Sequence, residues 1–508
     1  MTRRVSSLFL CLMILSGCKS SGTGKSGLRL TEGYVPAVPE TSLTSASLDR
    51  ESGVPALAES ASAANQNTIQ KVSATDADTK LQLTSLSEIV DTSISLQQSI
   101  FLALSQNPDL VTLRQTERVS SATLGVAQTY PFNPFLQVQA TPWQDAPNGT
   151  PPANYHYVLL MQTIQLAHQQ QFREQGATFT LNSTRWNIHQ AELQNMAQTE
   201  RLYFISLYQR GLMELNEASD RNNQQLLSIL QKQLDAGQAT AADVAIVRVD
   251  AESTRQQLRL ASANYQSALR DLARQAGVSP DKIQAVDGDL RKIEWRLPGV
   301  AEDSVISSDS EIQSAVSEAR SSVLSWAASR PDVMAARSDI DVARANLCLA
   351  SASKTPDLQI GPYYQTTADN THYLGFRAQI DLPVINNGVP LERQRTAEHN
   401  QRLTAWQQAQ RRAELDAEAA LARYETALTA AVTDTPSTAT DLPSELEGLE
   451  TQFQAGEVDV VRVVQARTSL IQNQRARLDL LNEVAQSAAT LTGAAGIPMD
   501  QLIHFAID

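Results

Sequence analysis

The chain has 508 residues, a length that suits about two to four globular domains, yet only 5% of it is aromatic against 42% hydrophobic overall. Such a balance favours long helices over a thick aromatic core. The formal net charge of −14, with no Lys/Arg-rich block beyond Arg3 and Arg4, argues against a phosphate-tracking surface and hence against nucleic acid as a partner.

The N-terminus reads as an address. Arg3 and Arg4 precede an apolar run over 8–15 that is too short to span a bilayer, which needs about 20 residues, so residues 1–17 form a secretory signal peptide. Leu15-Ser16-Gly17-Cys18 resembles the lipobox of bacterial lipoproteins. That resemblance implies cleavage before Cys18, acylation of Cys18 and anchoring in a membrane, each buried methylene contributing about 0.8 kcal/mol. Lys19, rather than Asp, after the cysteine points by the same resemblance to the outer membrane. Residues 18–93, rich in Ser, Thr, Ala, Gly and Gln, read as the lipidated N-terminus and a flexible tether. Gly24-Lys25-Ser26 imitates the end of a phosphate-binding loop, but Lys19 stands where its first glycine belongs and no strand precedes it.

Beyond the tether the chain is written twice. Asn107-Pro108-Asp109-Leu110 returns as Arg330-Pro331-Asp332-Val333, the run 134–138 returns as 356–360, and Tyr157 to Leu166 returns as Tyr373 to Leu382. Gln233 to Gly277 returns as Gln452 to Gly496. A repeat of this size fixes the order of elements as helix, two strands, then a long helix pair, twice. It divides the chain into a first repeat over 94–284, a connector over 285–325, a second repeat over 326–500 and a C-terminal tail over 501–508.

In chain order, the segments 134–142, 155–166, 356–367 and 371–382 carry β-branched and aromatic residues in partial alternation between Pro, Gly, Asn and Asp, and are predicted as two β-hairpins. Their length suits a tilted membrane-spanning strand, and strands cross a bilayer only in a closed barrel. Single-chain barrels begin at about eight strands, so four strands per chain force oligomerisation, and three copies would give about 12 strands around an aqueous interior. The matching pairs His156-Tyr157 and His372-Tyr373 are expected to form an aromatic and polar girdle at the lipid boundary.

Between the first hairpin and Gly237, the run 170–235 has no proline and two glycines, Gly176 and Gly211. A continuous helix here would reach on the order of 100 Å. The returning arm starts with Thr240, Ala241, Ala242 and Asp243, a polar helix start. Along it Val244, Val247, Ala251, Thr254, Leu258, Ala261, Tyr265, Ala268 and Leu272 keep spacings of 3 and 4, which predicts side-by-side helix packing. The second copy continues this as Val463, Ala466, Leu470, Leu480, Val484 and Leu491, with polar interruptions at Asn473 and Arg477. Cys348 is expected as a small core residue on a helix.

The duplicated layout, the two Pro-Asp helix starts, the paired hairpins and the Ala-Gly turns at 236–237 and 455–456 resemble the TolC family of outer-membrane efflux proteins over roughly residues 94 to 500. The resemblance implies a mainly α protein with a membrane β-barrel portion: a homotrimer, a 12-strand barrel in the outer membrane and a helical tunnel through the periplasm. It also implies docking to a periplasmic adaptor and an inner-membrane pump, no catalysis, and no cofactor beyond the lipid on Cys18. The Gly237 and Gly456 turns match the family's tunnel tip, where the adaptor binds and the gate lies. Drug-exporting members carry two aspartates after the second tip glycine; here Arg462 and Gln465 occupy those places, and Asp243 stands at the matching place of the first repeat. An Asp243 to Arg462 pair across neighbouring hairpins is the gate candidate, with solvated charges as the alternative. The segments 285–325 and 434–445 are expected in the equatorial belt of the tunnel.

Within this reading the cargo is open among small molecules, metal ions and secreted polypeptides. Seven methionines, scattered histidines and no Cys/Met cluster give no support to a metal conduit or a metal site. A tethered helical spacer without a pore is the structural alternative, disfavoured by four strand-length segments at repeated positions. A hydrolase is disfavoured by the absence of GxSxG or HExxH.

Overall fold

A computed structural model describes residues 93–141, 155–299, 309–367, 369–433, 448, 451–453 and 458–505. The chain divides into two units, 1–76 and 77–508, and every described residue belongs to the second. Cys18, the tether, the 434–445 segment and Gly456 lie outside the described residues.

The duplication is written into the order of elements. In the first half α1 (Leu96–Gln106) and α2 (Pro108–Gln128) lead to β2 (Phe135–Thr141) and β3 (Tyr155–Ile164), then to α3 (Gln169–Asp235) and α4 (Ala241–Gln275). In the second half α5 (Asp309–Ala328) and α6 (Pro331–Ala352) lead to β6 (Leu358–Thr366) and β7 (His372–Ile380), then to α7 (Val389–Thr433) and α8 (Val460–Ala495). Both α2 and α6 start on the repeated Pro-Asp, with proline in the first turn, where its missing N–H is no loss. The first is capped by the Asn107 side chain, whose Oδ1 accepts from the Asp109 and Leu110 amides at 3.0 and 3.2 Å. Arg330 cannot cap this way. Its guanidinium instead clasps Asp332 at 2.6 and 2.7 Å and donates to the Ala494 carbonyl oxygen at 2.9 Å, tying α6 to α8.

Helix α3 runs unbroken for 67 residues, on the order of 100 Å at 1.5 Å per residue. On α4 the seam read from the sequence is buried at eight of its nine positions, with Leu258 half-buried. A polar layer interrupts it: buried Asn223 on α3 donates to Asp250 Oδ2 at 2.8 Å and to Thr254 Oγ1 at 3.0 Å, fixing the register of the two helices. On α8 the expected seam is corrected. Val463, Val484 and Leu491 are buried, but Ala466, Leu470 and Leu480 are only half-buried and residues 472–477 are exposed throughout. Leu478 enters the core instead, because Gly211 leaves a notch in α3 that its side chain fills. Cys348 is also corrected, being half-buried on α6 rather than in the core.

A belt of small elements wraps the helices near their middle. β1 (Ser93–Ile94) pairs in parallel with β4 (Ala285–Val286), and β5 (Ile293–Trp295) pairs antiparallel with β8 (Ile503–Phe505). The connector is thus folded onto the helices through 299, and within the segment expected as a tail Leu502 and Ile503 are buried in the core. Tyr203, Phe204, Tyr424 and Leu272 anchor this cluster against a lining of alanines on α7 and α8. Full burial of each such large apolar side chain contributes about 1.5–3 kcal/mol. The two tyrosine hydroxyls donate to the carbonyl oxygens of Asp287 (2.5 Å) and Arg296 (2.7 Å), which ties the connector down.

The two hairpins join edge to edge into one four-stranded antiparallel sheet in the order β2-β3-β6-β7. The join is made by β3 and β6, with His156 opposite Thr366 and Ile164 opposite Leu358.

Candidate channel-forming site

The register sorts every strand residue onto one of two faces, because directly opposed residues share a face and successive residues alternate. Even-numbered positions align across all four strands, as in the row Leu136, Leu160, Pro362, Phe376 and the row Val138, Val158, Tyr364, Leu374. With Ile164, Leu358, Ile360 and Ile380, they make a mainly apolar face, interrupted by Gln162 opposite Ile360. Several of these side chains stand in the open in one chain: Leu374 is 83% and Phe376 81% exposed. Odd-numbered positions make the other, mainly polar face, which carries Gln137, Gln139, Gln359, Gln365, Gln379, Tyr155, Tyr157, Tyr363, Tyr373 and Arg377, with Phe135, Leu159 and Met161 as its apolar members.

An exposed apolar face of this size is not stable in water. Ten residues of β3 extend about 34 Å along the strand, and a tilt near 40° gives a band close to the ~25 Å apolar height of outer-membrane barrels. The sheet has two unpaired edges, β2 and β7. Each presents backbone N–H and C=O groups that hydrocarbon cannot satisfy. Among the described residues no helix is long and apolar enough to cross a membrane.

The girdle expectation needs correction by face. His156 and His372 flank Thr366 in one row of the apolar face, and the His372 ring stacks on Tyr364, whose hydroxyl lies 2.9 Å from His372 Nδ1. Tyr157 and Tyr373 flank Gln365 on the opposite, polar face, and Tyr157 stacks on Tyr363 with ring centroids 6.1 Å apart. The adjacent residues of each His-Tyr pair alternate in a strand and cannot both face lipid.

At the far end of the long helices, α3 stops at a left-handed Gly237 with φ of +76°. The Gln238 amide reaches back to the Gln233 carbonyl oxygen at 2.7 Å, so the turn is a closed C-cap. Helix α4 then starts on a capping box: the Thr240 amide and hydroxyl donate to Asp243 Oδ2 at 3.0 and 2.7 Å, and the Asp243 amide donates back to Thr240 Oγ1 at 3.2 Å. Leu226, Leu230, Val244, Val247, Phe453, Val460 and Val463 form one apolar cluster, so the starts of α4 and α8 lie together. Arg462 and Gln465 are exposed on α8 beside this cluster. Among the described residues no ion pair joins Asp243 to Arg462 within one chain, and the carboxylate is engaged by its own cap.

Midway along α3 lies a residue that the sequence reading passed over. Glu200 is fully buried, and neither carboxylate oxygen has a hydrogen-bond partner. Burial pushes its carboxyl up to about 8, and the neighbouring Thr492 hydroxyl offsets only part of this. The signal was present in its spacing, since Glu200 continues the row of Tyr203, Phe204 and Leu207 that faces the core.

No family model matches the sequence, and no curated protein does. Solved structures do match. CusC, studied for its folding and transmembrane channel formation, is 19% identical with a TM-score of 0.61, covering 79% of this chain and 91% of that one. The outer-membrane protein VceC of Vibrio cholerae is 17% identical with a TM-score of 0.58, covering 79% of this chain and 96% of that one. The CmeC outer-membrane channel of Campylobacter jejuni is 14% identical with a TM-score of 0.59, covering 88% and 92%. The chain has the fold of these outer-membrane channels.

Proposed function

We propose that this protein is a member of the TolC family: a passive outer-membrane channel in which three copies join β7 of one to β2 of the next. The helices continue that barrel as a tunnel through the periplasm. Small molecules are the cargo, delivered by an inner-membrane pump through a periplasmic adaptor that docks at the Gly237 and Gly456 turns. Cys18 carries the lipid that anchors the mature N-terminus in the outer membrane, and the energy comes from the pump.

One observation carries the reading: a sheet with an exposed apolar face, a Gln- and Tyr-rich face behind it and two open edges, set on helices far longer than a globular core needs. Lipid accepts the first face, water the second, and only further copies of the same sheet close the edges. A spacer without a pore gives no account of the apolar face. At the tip, the bonds from Thr240 fall on Asp243 Oδ2, so Oδ1 is the oxygen through which a pair with Arg462 of a neighbouring copy would form and hold the tip shut. Reconstitution of the purified protein into planar lipid bilayers tests the proposal. Discrete conductance steps are expected, and a protein that leaves the bilayer silent contradicts it.

A further inference from the structure

Among the described strand residues, Arg377 is the one charged side chain on the polar face of the sheet, and every other charged type is absent from both faces except the two histidines of the apolar face. Its placement is constrained. Arg377 on β7 stands directly opposite Gly361 on β6. Position 361 has no space for a Cβ, which would fall 1.7 Å from the Leu160 carbonyl oxygen. With no side chain at 361, the arginine stem crosses β6 unobstructed, and Nη1 donates to the Tyr157 hydroxyl on β3 at 3.3 Å. Tyr157 is itself stacked on Tyr363, and Tyr363 lies over Gly375, where a Cβ would fall 2.8 Å from its ring. Two glycines and two tyrosines thus hold one guanidinium across the polar face while leaving it open to water.

We infer that Arg377 sets the charge preference of the membrane-spanning part of the pore, favouring anionic over cationic permeants at that level. The inference rests on the barrel reading, in which the polar face lines the lumen and each copy adds one guanidinium at the same height. A ring of like charges in a confined aqueous path raises the local concentration of counter-ions and sets selectivity. The acidic side chains nearest along the chain, Asp357 and Asp381, stand beyond the helix-side ends of β6 and β7. Asp381 is four residues from Arg377, about 13 Å along the strand and beyond the ~8 Å screening length at physiological salt. The guanidinium ring is therefore not neutralised at its own level. In a chain whose net charge is −14, it is a local reversal of sign.

The test is the reversal potential of single channels in planar bilayers under a KCl gradient, for the unmutated protein, Arg377→Gln, Arg377→Glu and Arg377→Lys. The Gln variant is expected to lower the chloride-to-potassium permeability ratio about twofold near 50 mM salt, the Glu variant more, and the Lys variant little, with all differences shrinking toward 1 M as screening grows. Channels that conduct normally but keep one reversal potential across all four proteins overturn the inference and leave the channel reading standing. An unmutated protein that never conducts overturns both. If Arg377→Glu fails to insert, the Gln and Lys pair still decides, because it separates charge from the loss of the arginine fork.

Discussion

The Thr240 hydroxyl donates to the Asp243 carboxylate at 2.7 Å, at the turn where the chain leaves one long helix and starts the next. Replacing Asp243 with Ala removes one half of this capping box, which costs about 1 kcal/mol. Amide hydrogen exchange over 241–247 is expected to accelerate about fivefold, while Asp243→Asn, which still accepts a hydrogen bond, retains most of the protection. Equal exchange in Asp243→Ala and the unmutated protein would show that the box does not stabilise the tip.

The same turn bears on gating. Arg462 is exposed and Asp243 is only partly covered, so a pair between neighbouring copies contributes about 0.2–1 kcal/mol, at most about a fivefold shift between closed and open tips. Arg462→Asp is expected to raise the mean single-channel conductance by a factor of that order, and Gln465→Asp to change it less. Unchanged conductance in Arg462→Asp counts against this pair as a gate.

Glu200 makes the helical wall sensitive to alkali. Its folded-state value of about 8 lies above the ordinary 4.5, so between these values the folded protein holds a proton that the unfolded chain releases. Stability from this group is fully present below about pH 4.5 and is lost as pH rises through 8, by at most about 1.4 kcal/mol per pH unit within that window. Glu200→Gln cannot ionise. Thermal melts are expected to show the unmutated protein falling behind Glu200→Gln steadily from pH 5 to pH 8.5; parallel curves would mean that the carboxyl is not held neutral.

The two faces of the sheet respond differently to charge. Phe376→Lys places an ammonium at the middle of the apolar face, where lipid-facing cations cost about 2–4 kcal/mol in outer-membrane barrels. Gln379→Lys places one on the polar face at little cost. Heat-resistant oligomers on gels are expected to be lost or weakened in the first variant and retained in the second, and equal behaviour would mean that the faces are misassigned.

Much of this architecture was legible in the sequence because repetition and periodicity are global signals. The continuous helix over 169–235 follows from a proline-free run, and the α4 seam from spacings that tertiary packing only had to accept. The α8 seam was misread because Leu478 and Leu480 are equally apolar and only Gly211, more than 260 positions away in the chain, selects the first. Glu200 and Arg377 were missed for a related reason. A charge on a buried stripe, or opposite a glycine two strands from its tyrosine, acquires meaning only when partners distant in sequence are brought into register. The even-odd split of the strands was available in the letters. Short segments with most of their Gln and Tyr on one side and most of their Leu, Val and Ile on the other still needed the pairing of β3 with β6 to place all four on one sheet. Gly456 and Cys18 gained nothing from the fold, since both lie outside the described residues.

A closed barrel requires that β2 and β7 find their partners in other copies of the same chain. Native mass spectrometry of the detergent-extracted protein measures this most directly. A complex of three chains, stable until the detergent is stripped or the sheet is broken by Phe376→Lys, is the expected result. A monomer that keeps its sheet and stays soluble without detergent would contradict it.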